Sequence, residues 1–183
     1  MPVRIVSVTD STLPDLPGSC GACVYWESPD HFSGQFTQEE AGLKRDWYSS
    51  TARLYGACGR LLYADDEPAA YCQYAPWRLI PGISKYPSLA RDLDEDAVMI
   101  TCLCVVETHQ RKGLGRMLLS DVIEDLRAGN AKCIVTFARD DSANNCSGPT
   151  SLYLAQGFSV VSTERFPDGS SFSLVRLRLD GVG

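Results

Sequence analysis

The segment from residue 97 to residue 127 constrains the fold more than any other part of this chain. Residues 97–106 (AVMITCLCVV) are almost all apolar or β-branched, which predicts a strand buried on both faces. A basic, glycine-containing turn follows directly, and residues 115–127 then show an amphipathic helical pattern. The apolar residues that share one face of this helix are Met117, Leu118, Val122 and Leu126. A buried strand that leads into a helix predicts a mixed α/β domain.

The rest of the chain supplies further strands and helices. Alternating or β-branched runs predict six more strands, over residues 3–8, 56–64, 69–74, 132–137, 158–164 and 172–179. Helices are predicted over residues 38–55, with Thr37 as N-cap, and over residues 151–156, which Gly157 ends. Residues 77–96 are rich in Pro, Gly, Ser and Asp and predict a long irregular loop of a kind that is often functional. We expect a single domain over residues 1–183.

Length, charge and hydropathy exclude several classes of protein. A chain of 183 residues with 44% hydrophobic content can bury one full core. Its net charge of −6 disfavours binding to phosphate backbones, so we expect no nucleic-acid partner. No apolar run is long enough to span a bilayer, and the first residues lack the apolar run of a signal peptide. The sequence therefore predicts a cytoplasmic protein without a membrane partner.

The eight cysteines are scattered along the chain, and a reducing cytoplasm argues against a disulfide framework. Cys20-x-x-Cys23 has a spacing that occurs in metal and redox sites, but no second pair completes a structural zinc site. Ordinary burial is the favoured interpretation. A zinc-binding or redox-active pair is the alternative.

The turn between the predicted strand and helix has the composition of an anion-binding loop. A helix start offers unpaired backbone N–H groups and the positive end of the helix dipole. Gly113 and Gly115 let the backbone approach a bulky anion closely. Arg111, Lys112 and Arg116 add positive charge beside it. Neither a Walker motif nor a dinucleotide fingerprint fits, because the Gly-Lys-Ser/Thr triplet and the third glycine are missing. The turn predicts a pyrophosphate cradle.

Two short motifs resemble signatures of the GNAT superfamily of N-acetyltransferases. Gln110-x-x-Gly113-x-Gly115 resembles the loop that holds the pyrophosphate of acyl-CoA, and it stands between a buried strand and an amphipathic helix. Tyr153-Leu-Ala-Gln-Gly157-Phe158 resembles the second signature, Tyr-x-x-x-Gly-Phe. The order of strands and helices fits over residues 3–179, so the resemblance covers nearly the whole chain.

The resemblance implies a splayed, mostly antiparallel central sheet flanked by helices. It implies an N-acetyltransferase that uses acetyl-CoA as cosubstrate, needs no metal, and lets the acceptor amine attack the thioester directly in a ternary complex. Dimers are common in this family, so a homodimer is one expected state. The acceptor stays open between a small-molecule amine and a protein lysine or N-terminus. A CoA-binding sensor or partner module without turnover is a further alternative.

The resemblance also assigns roles to individual residues. Tyr153 matches the tyrosine that protonates the departing CoA thiolate, with a packing role as the alternative. Many members have an asparagine seven residues earlier; here Cys146 holds that position, so the contact shifts to Asn144 or Asn145. A backbone N–H near Leu103 or Cys104 would polarise the thioester carbonyl. The implied cofactor-binding residues, from the pantetheine strand to the pyrophosphate loop, are Leu103, Cys104, Val105, Gln110, Arg111, Lys112, Gly113, Leu114, Gly115, Arg116 and Asn145.

No residue stands out as the general base that the amine needs. The family's central-strand glutamate falls near Met99, which cannot act, and the nearest carboxylates are those of residues 94–96. Solvated loop charge is the favoured interpretation for these three. Weaker candidates are His31, Glu107 and His109. His31 lies in the segment of residues 26–36, which could line the acceptor site.

The resemblance implies that acceptor specificity comes from the N-terminal helical region and neighbouring loops. Aromatic residues are concentrated in this half of the chain, with core packing as the alternative role. Trp77 and Tyr86 in the long loop, with acidic residues near them in sequence, would form an aromatic wall that suits a cationic amine. These acidic residues are Asp65, Asp66, Asp92, Asp94 and Glu95. A thiol at Cys102 or Cys104 could accept the acyl group, but direct transfer is favoured because buried cysteines are usually inert.

Overall fold

The computed structural model describes residues 1–141 and 145–179. Its strands are β1 (Val3–Ser7), β2 (Gly59–Ala64), β3 (Glu67–Pro76), β4 (Val98–Val105), β5 (Cys133–Arg139), β6 (Ser159–Arg165) and β7 (Ser171–Arg178). Its α-helices are α1 (Gln38–Tyr55), α2 (Pro87–Ala90), α3 (Leu114–Ala128) and α4 (Thr150–Leu154). Short 3-10 helices cover Leu13–Asp15, Trp77–Leu79, Pro81–Lys85 and Glu107–His109. The predicted mixed α/β order is confirmed, and the loop over residues 77–96 contains two of these turns and α2.

The seven strands form one sheet in the order β1-β2-β3-β4-β5-β7-β6. Every neighbouring pair is antiparallel except β4 and β5, which run parallel. These two strands pair only over residues 98–100 and 134–136, and then diverge. We call the opening between the diverging strands the β4–β5 cleft. The splayed, mostly antiparallel sheet that the resemblance implied is therefore confirmed.

Helix α3 covers one face of the sheet. Its buried residues are Leu114, Leu118, Leu119, Val122, Ile123 and Leu126. Full burial of a side chain of this size is worth about 1.5–3 kcal/mol, so this face holds the helix against the sheet. Met117 was predicted on the same face, which is wrong, because it is 46% exposed. The error is one of angle, since residue 117 lies about 100° from residue 118 around the helix.

Helix α1 lies on the opposite face, together with the N-terminal segment and the loop over residues 77–96. The predicted N-cap is confirmed: the Thr37 hydroxyl accepts a hydrogen bond from the Glu40 amide, and the Glu40 carboxylate accepts one from the Thr37 amide. This reciprocal pair satisfies two amides that a helix start leaves free. The face that α1 buries is mostly polar, with Lys44 and Tyr48 directed into the interior. None of the described helices is long and apolar enough to cross a membrane.

Candidate active site

The turn before α3 has the backbone geometry of an anion-binding loop. Gly113 caps the helix with φ at +81° and ψ at 0°, and Arg111 also adopts a positive φ of +59°. The first intrahelical bond runs from the Met117 amide to the Gly113 carbonyl, at 3.0 Å. Within the described residues, the amides of residues 113–116 therefore have no internal acceptor and point away from the helix start. This arrangement fits a pyrophosphate, because four N–H groups and the positive end of the dipole converge there.

Two side chains of this turn hold its shape. Gln110 donates a hydrogen bond from Nε2 to the Val105 carbonyl at 3.1 Å, which ties the turn to the end of β4. Lys112 donates from Nζ to the Thr108 carbonyl at 2.8 Å. Both residues were assigned to the cofactor from the sequence, and this anchoring role was not foreseen. The anchoring role depends on the folded turn, in which these side chains reach carbonyl groups of the preceding segment.

The backbone N–H groups of β4 point alternately toward β3 and toward the β4–β5 cleft. The Val106 amide bonds to Ala69 of β3, at 2.9 Å, so the Cys104 N–H also faces β3. The amides of Leu103 and Val105 therefore face the β4–β5 cleft. Cys104 was predicted as a backbone ligand or oxyanion donor, and this is corrected because its N–H lies in the ladder with β3.

The two cleft-facing amides differ in their partners. Leu103 donates to the Cys146 carbonyl at 2.6 Å. The Val105 amide has no hydrogen-bond acceptor among the described residues. Asn145, beside Cys146, donates from its side chain to the Arg139 carbonyl at 3.0 Å, which orders the segment before α4. Asn144, the other expected asparagine, lies outside the described residues.

Tyr153 lies on α4 and is completely buried in the core on the α3 side of the sheet. Its hydroxyl donates a hydrogen bond to the Ser147 carbonyl at 2.6 Å, and its ring packs edge-on against Phe158 at 5.3 Å between centroids. Burial raises the pKa of the Tyr153 phenol well above its ordinary value of about 10. The phenol is therefore protonated at neutral pH, as an acid requires, but it must leave Ser147 to reach a thiolate. Its catalytic role stays a prediction.

A cavity of about 270 Å³ opens on the α1 face of the sheet, next to the β4–β5 cleft. It lies between the N-terminal segment, α1, β3, β4 and the segment before α4. We call it the aromatic cavity because seven of its lining residues are aromatic: Tyr25, Trp26, Phe32, Phe36, Tyr71, Tyr86 and Phe172. Cys102 of β4 lines it as well, so the cavity reaches the strand on which a thioester is expected.

A buried polar network lies behind this cavity. The Lys44 ammonium donates to the Glu27 carboxylate at 2.5 Å, to the Gln73 side-chain oxygen at 2.7 Å and to the Cys23 carbonyl at 3.0 Å. Tyr71 also donates to the Gln73 oxygen, at 2.5 Å. The second oxygen of Glu27 is buried without a partner among the described residues. Glu27 was missed in the sequence analysis. A carboxylate directly after the apolar residues 23–26 is the signal that could have indicated a partner for a buried cation.

The predicted candidates for a general base lie away from the aromatic cavity. Asp94 forms ion pairs with Arg176 at 2.8 Å and Arg178 at 3.2 Å, and Glu95 pairs with Arg78 on the surface. The expected acidic wall is therefore wrong: residues 65, 66, 92, 94 and 95 do not line the cavity. Of the two aromatic residues expected there, Tyr86 lines the cavity and Trp77 does not. His31 bonds to the Ser28 hydroxyl, and His109 to the Thr108 hydroxyl, in exposed positions.

All eight cysteines are free thiols. The sulfurs of Cys20 and Cys104 lie 3.3 Å apart, and this contact lowers the pKa of Cys20 and raises that of Cys104. Burial raises the pKa of Cys102 well above its ordinary value, which disfavours a thiolate nucleophile there. Over residues 1–141 and 145–179, no group of three His, Cys, Asp or Glu side chains could hold a metal ion, so Cys20 and Cys23 do not form part of such a group.

Comparisons with known proteins agree with this geometry. The model of the acetyltransferase (GNAT) family matches residues 22–158. The ribosomal-protein-S18-alanine N-acetyltransferase of Escherichia coli is 20% identical, with a TM-score of 0.61 over 100% of this chain and 97% of that one. The acetyltransferase yncA of Salmonella typhimurium, solved with its cofactor acetyl-CoA, is 19% identical, with a TM-score of 0.65 over 99% and 96% of the two chains.

An N-acetyltransferase of Staphylococcus aureus Mu50 is 13% identical, with a TM-score of 0.65 over 98% of this chain and 100% of that one. At these identities the structural likeness establishes the fold alone. No curated protein matches the sequence. The family model, by contrast, spans most of the chain and includes the cradle, the cleft and Tyr153. The chain therefore belongs to the acetyltransferase (GNAT) family.

Proposed function

We propose that this enzyme transfers an acetyl group from acetyl-CoA to an amine by direct attack in a ternary complex. The single observation that carries the proposal is the order of free donors and cavity along β4 and the turn that follows it. Among the described residues, the amides of residues 113–116 are free at the turn, the Val105 amide is free at the end of β4, and Cys102, earlier on β4, lines the aromatic cavity. A long anionic cofactor with a reactive thioester at its far end suits this order.

The chain's own residues then have distinct tasks. Acetyl-CoA supplies an activated acetyl group, and the cradle binds its pyrophosphate. The Val105 amide pairs with the pantetheine arm, and the Leu103 amide exchanges the Cys146 carbonyl for a ligand oxygen. As the new C–N bond forms and the C–S bond breaks, Tyr153 protonates the sulfur and regains its proton from solvent. The amine loses its own proton to water, since no carboxylate of the described residues lines the aromatic cavity.

Calorimetric titration of the purified protein with acetyl-CoA, against ATP as a control, tests the proposal. We expect Gly115→Asp to weaken binding by at least 100-fold, because its carboxylate would face the pyrophosphate. The fold should survive, since an acidic residue in the first turn favours a helix and an added Cβ meets only Val105, at 3.4 Å. Gly42→Asp on α1 adds the same charge in open space and should bind acetyl-CoA normally. Equal affinity in all three proteins would remove the cradle assignment.

Three further expectations stay predictions. The domain is expected to extend over residues 1–183, and the enzyme is expected to be cytoplasmic, where eight free thiols are stable. A homodimer is the third. Size-exclusion chromatography with light scattering would decide the oligomeric state.

A further inference from the structure

The rings that line the aromatic cavity form a connected set. The Tyr25 ring lies edge-on to Trp26 and to Phe32, with centroids 5.3 Å apart in both pairs. The Tyr86 ring lies 5.6 Å from Trp26 and 5.0 Å from Phe172. Because these rings hold one another in place, they present a preformed apolar surface. Such a surface suits a flat apolar ligand.

Phe36 provides a second and independent observation. It lines the cavity, it is 41% exposed, and its φ is +56°, a left-handed conformation that is an outlier for a bulky side chain. Its ring packs against Phe32 with centroids 6.3 Å apart. The left-handed backbone costs about 1–2 kcal/mol, and a ring exposed to this degree recovers little by packing. The chain thus holds an aromatic ring at the rim of the cavity against local strain, and strained residues of this kind cluster at binding sites.

The charges around the cavity restrict the ligand further. The charged lining residues are Lys44 and Arg139, and both are cations. Their carboxylate partners, Glu27 and Asp141, are not among the lining residues. Both cations are held in ion pairs, Lys44 with Glu27 at 2.5 Å and Arg139 with Asp141 at 2.6 Å, so neither acts as a free charge. Among the described residues, the lining offers no carboxylate to a second ammonium group of a ligand. Burial of that group without a partner selects against such a ligand.

The size of the cavity also selects. A volume of about 270 Å³ lies below the range of about 300–1,000 Å³ that is typical of drug-sized ligands. One ring with a short side chain fits such a space. The lining comes from several elements, and the cavity is open to solvent.

We propose that the acceptor is a small primary alkylamine that carries one aromatic ring, and that the reacting amine is its only cationic group. This assignment rests on the proposed function, because it names the substrate class of that same site. The ring of the acceptor would lie among the aromatic side chains, with its amine directed toward Cys102 and the cleft. Polyamines and lysine side chains are then poor acceptors, since they bring either a second cation or no ring.

A matched set of acceptors tests the charge and ring requirements. With acetyl-CoA saturating and release of the CoA thiol as the readout, we expect kcat/KM for benzylamine to exceed that for 1,4-bis(aminomethyl)benzene by at least 10-fold. The two compounds share a ring, and the second has two reactive amines but carries an extra ammonium group. The third compound, 1,4-diaminobutane, lacks the ring and should be at least 10-fold poorer as well. A diamine that matches or exceeds benzylamine would overturn the proposal.

The variant Phe36→Gly tests the rim. Glycine removes the ring and relieves the left-handed strain, so the fold should be kept or stabilised. We expect KM for benzylamine to rise at least 5-fold, with kcat and the affinity for acetyl-CoA unchanged. Leu54→Ala, an exposed apolar position on α1 outside the cavity lining, is the control and should leave KM unchanged. An unchanged KM in Phe36→Gly would also overturn the proposal.

Binding measurements separate this proposal from the proposed function. Saturation-transfer NMR with benzylamine reports on the cavity without turnover, and calorimetry with acetyl-CoA reports on the cradle. If acetyl-CoA binds and benzylamine neither binds nor reacts, the acceptor class is wrong and the transferase activity stands. If acetyl-CoA does not bind, the proposed function fails, while benzylamine binding that Phe36→Gly weakens would still support the ligand class of the cavity.

Discussion

Tyr153 is the residue on which the chemistry of transfer is most easily tested. Phenylalanine at this position keeps the ring packing and removes the hydroxyl that donates to Ser147. We expect Tyr153→Phe to lower kcat by about 100-fold, the lower end of the range for loss of a general acid, while calorimetry shows unchanged affinity for acetyl-CoA. The lost hydrogen bond should lower the free energy of unfolding by about 1 kcal/mol in chemical denaturation.

The pH profile of the wild-type enzyme tests whether the Tyr153 phenol keeps its proton over the working range. Burial raises the pKa of its phenol above 10, so the acid form should not be depleted between pH 7 and pH 9.5. The pH profiles of the wild type and of Tyr153→Phe should therefore have the same shape over that range. An unchanged kcat in the variant would leave Tyr153 with packing alone.

Single residues were predictable from the sequence where one local property decides their role. Gly113 was identified because a turn that opens a helix favours a residue with positive φ, and the structure places it there. The orientation of Cys104 was not predictable, because it depends on the pairing of β4 with β3 and on the register shift at Gln73 and Tyr74. Phe36 lies in the segment of residues 26–36 that was expected to line the acceptor site, and it does line the cavity. Its left-handed backbone was not predictable, because local sequence rules exclude a bulky residue from that conformation.

The start of α1 carries the prediction at the level of elements. Thr37→Ala removes the acceptor for the Glu40 amide while leaving the helix sequence intact. We expect a loss of about 0.5–2 kcal/mol in the free energy of unfolding, measured by urea denaturation, because an N-terminal amide loses its partner. Thr37→Ser keeps a hydroxyl and should behave nearly as the wild type. Equal losses in both variants would show that the methyl group matters rather than the cap.

Helices and strands were predicted well because their patterns are local. The bounds of α1 agree at both ends, since a cap begins it and Gly56 ends it with φ at +103°. Strand β2 was placed three residues too early, because residues 56–58 link it to α1 and lie outside the ladder. The divergence of β4 from β5 could be expected only through the family resemblance. This divergence depends on side chains that are far apart in sequence and pack between the two strands.

The network around Lys44 carries the prediction for the whole molecule, because it joins the N-terminal segment, α1 and β3. Lys44→Met leaves the buried Glu27 carboxylate without its cation. We expect this variant to lose about 3–5 kcal/mol in the free energy of unfolding, measured by chemical denaturation. The double variant Lys44→Met/Glu27→Leu removes both charges and should recover part of the loss. Additive effects in the double variant would contradict a coupled ion pair.

The aromatic cavity is the part of the site that the sequence predicted least well. Its walls come from residues 19–36, from α1, and from strands on both sides of the cleft, so no single window of sequence contains it. The acidic residues expected near it instead pair elsewhere, as Asp94 does with Arg176 and Arg178. The sequence predicted the cofactor half of the site, which one turn carries. Of the acceptor half it predicted Tyr86 and the segment of residues 26–36, and it missed the walls that α1 and the strands supply.

The short pairing between β4 and β5 has a mechanical consequence. Three residue pairs are the only strand-to-strand ladder, within the described residues, between the ribbon β1–β4 and the ribbon β5–β7. The molecule thus consists of two ribbons joined by a short ladder, and they diverge where the thioester arm is expected to lie. A cofactor bound in that opening contacts both ribbons and holds them together. Binding of acetyl-CoA should therefore raise the free energy of unfolding, so that the enzyme is most stable when its cosubstrate is bound.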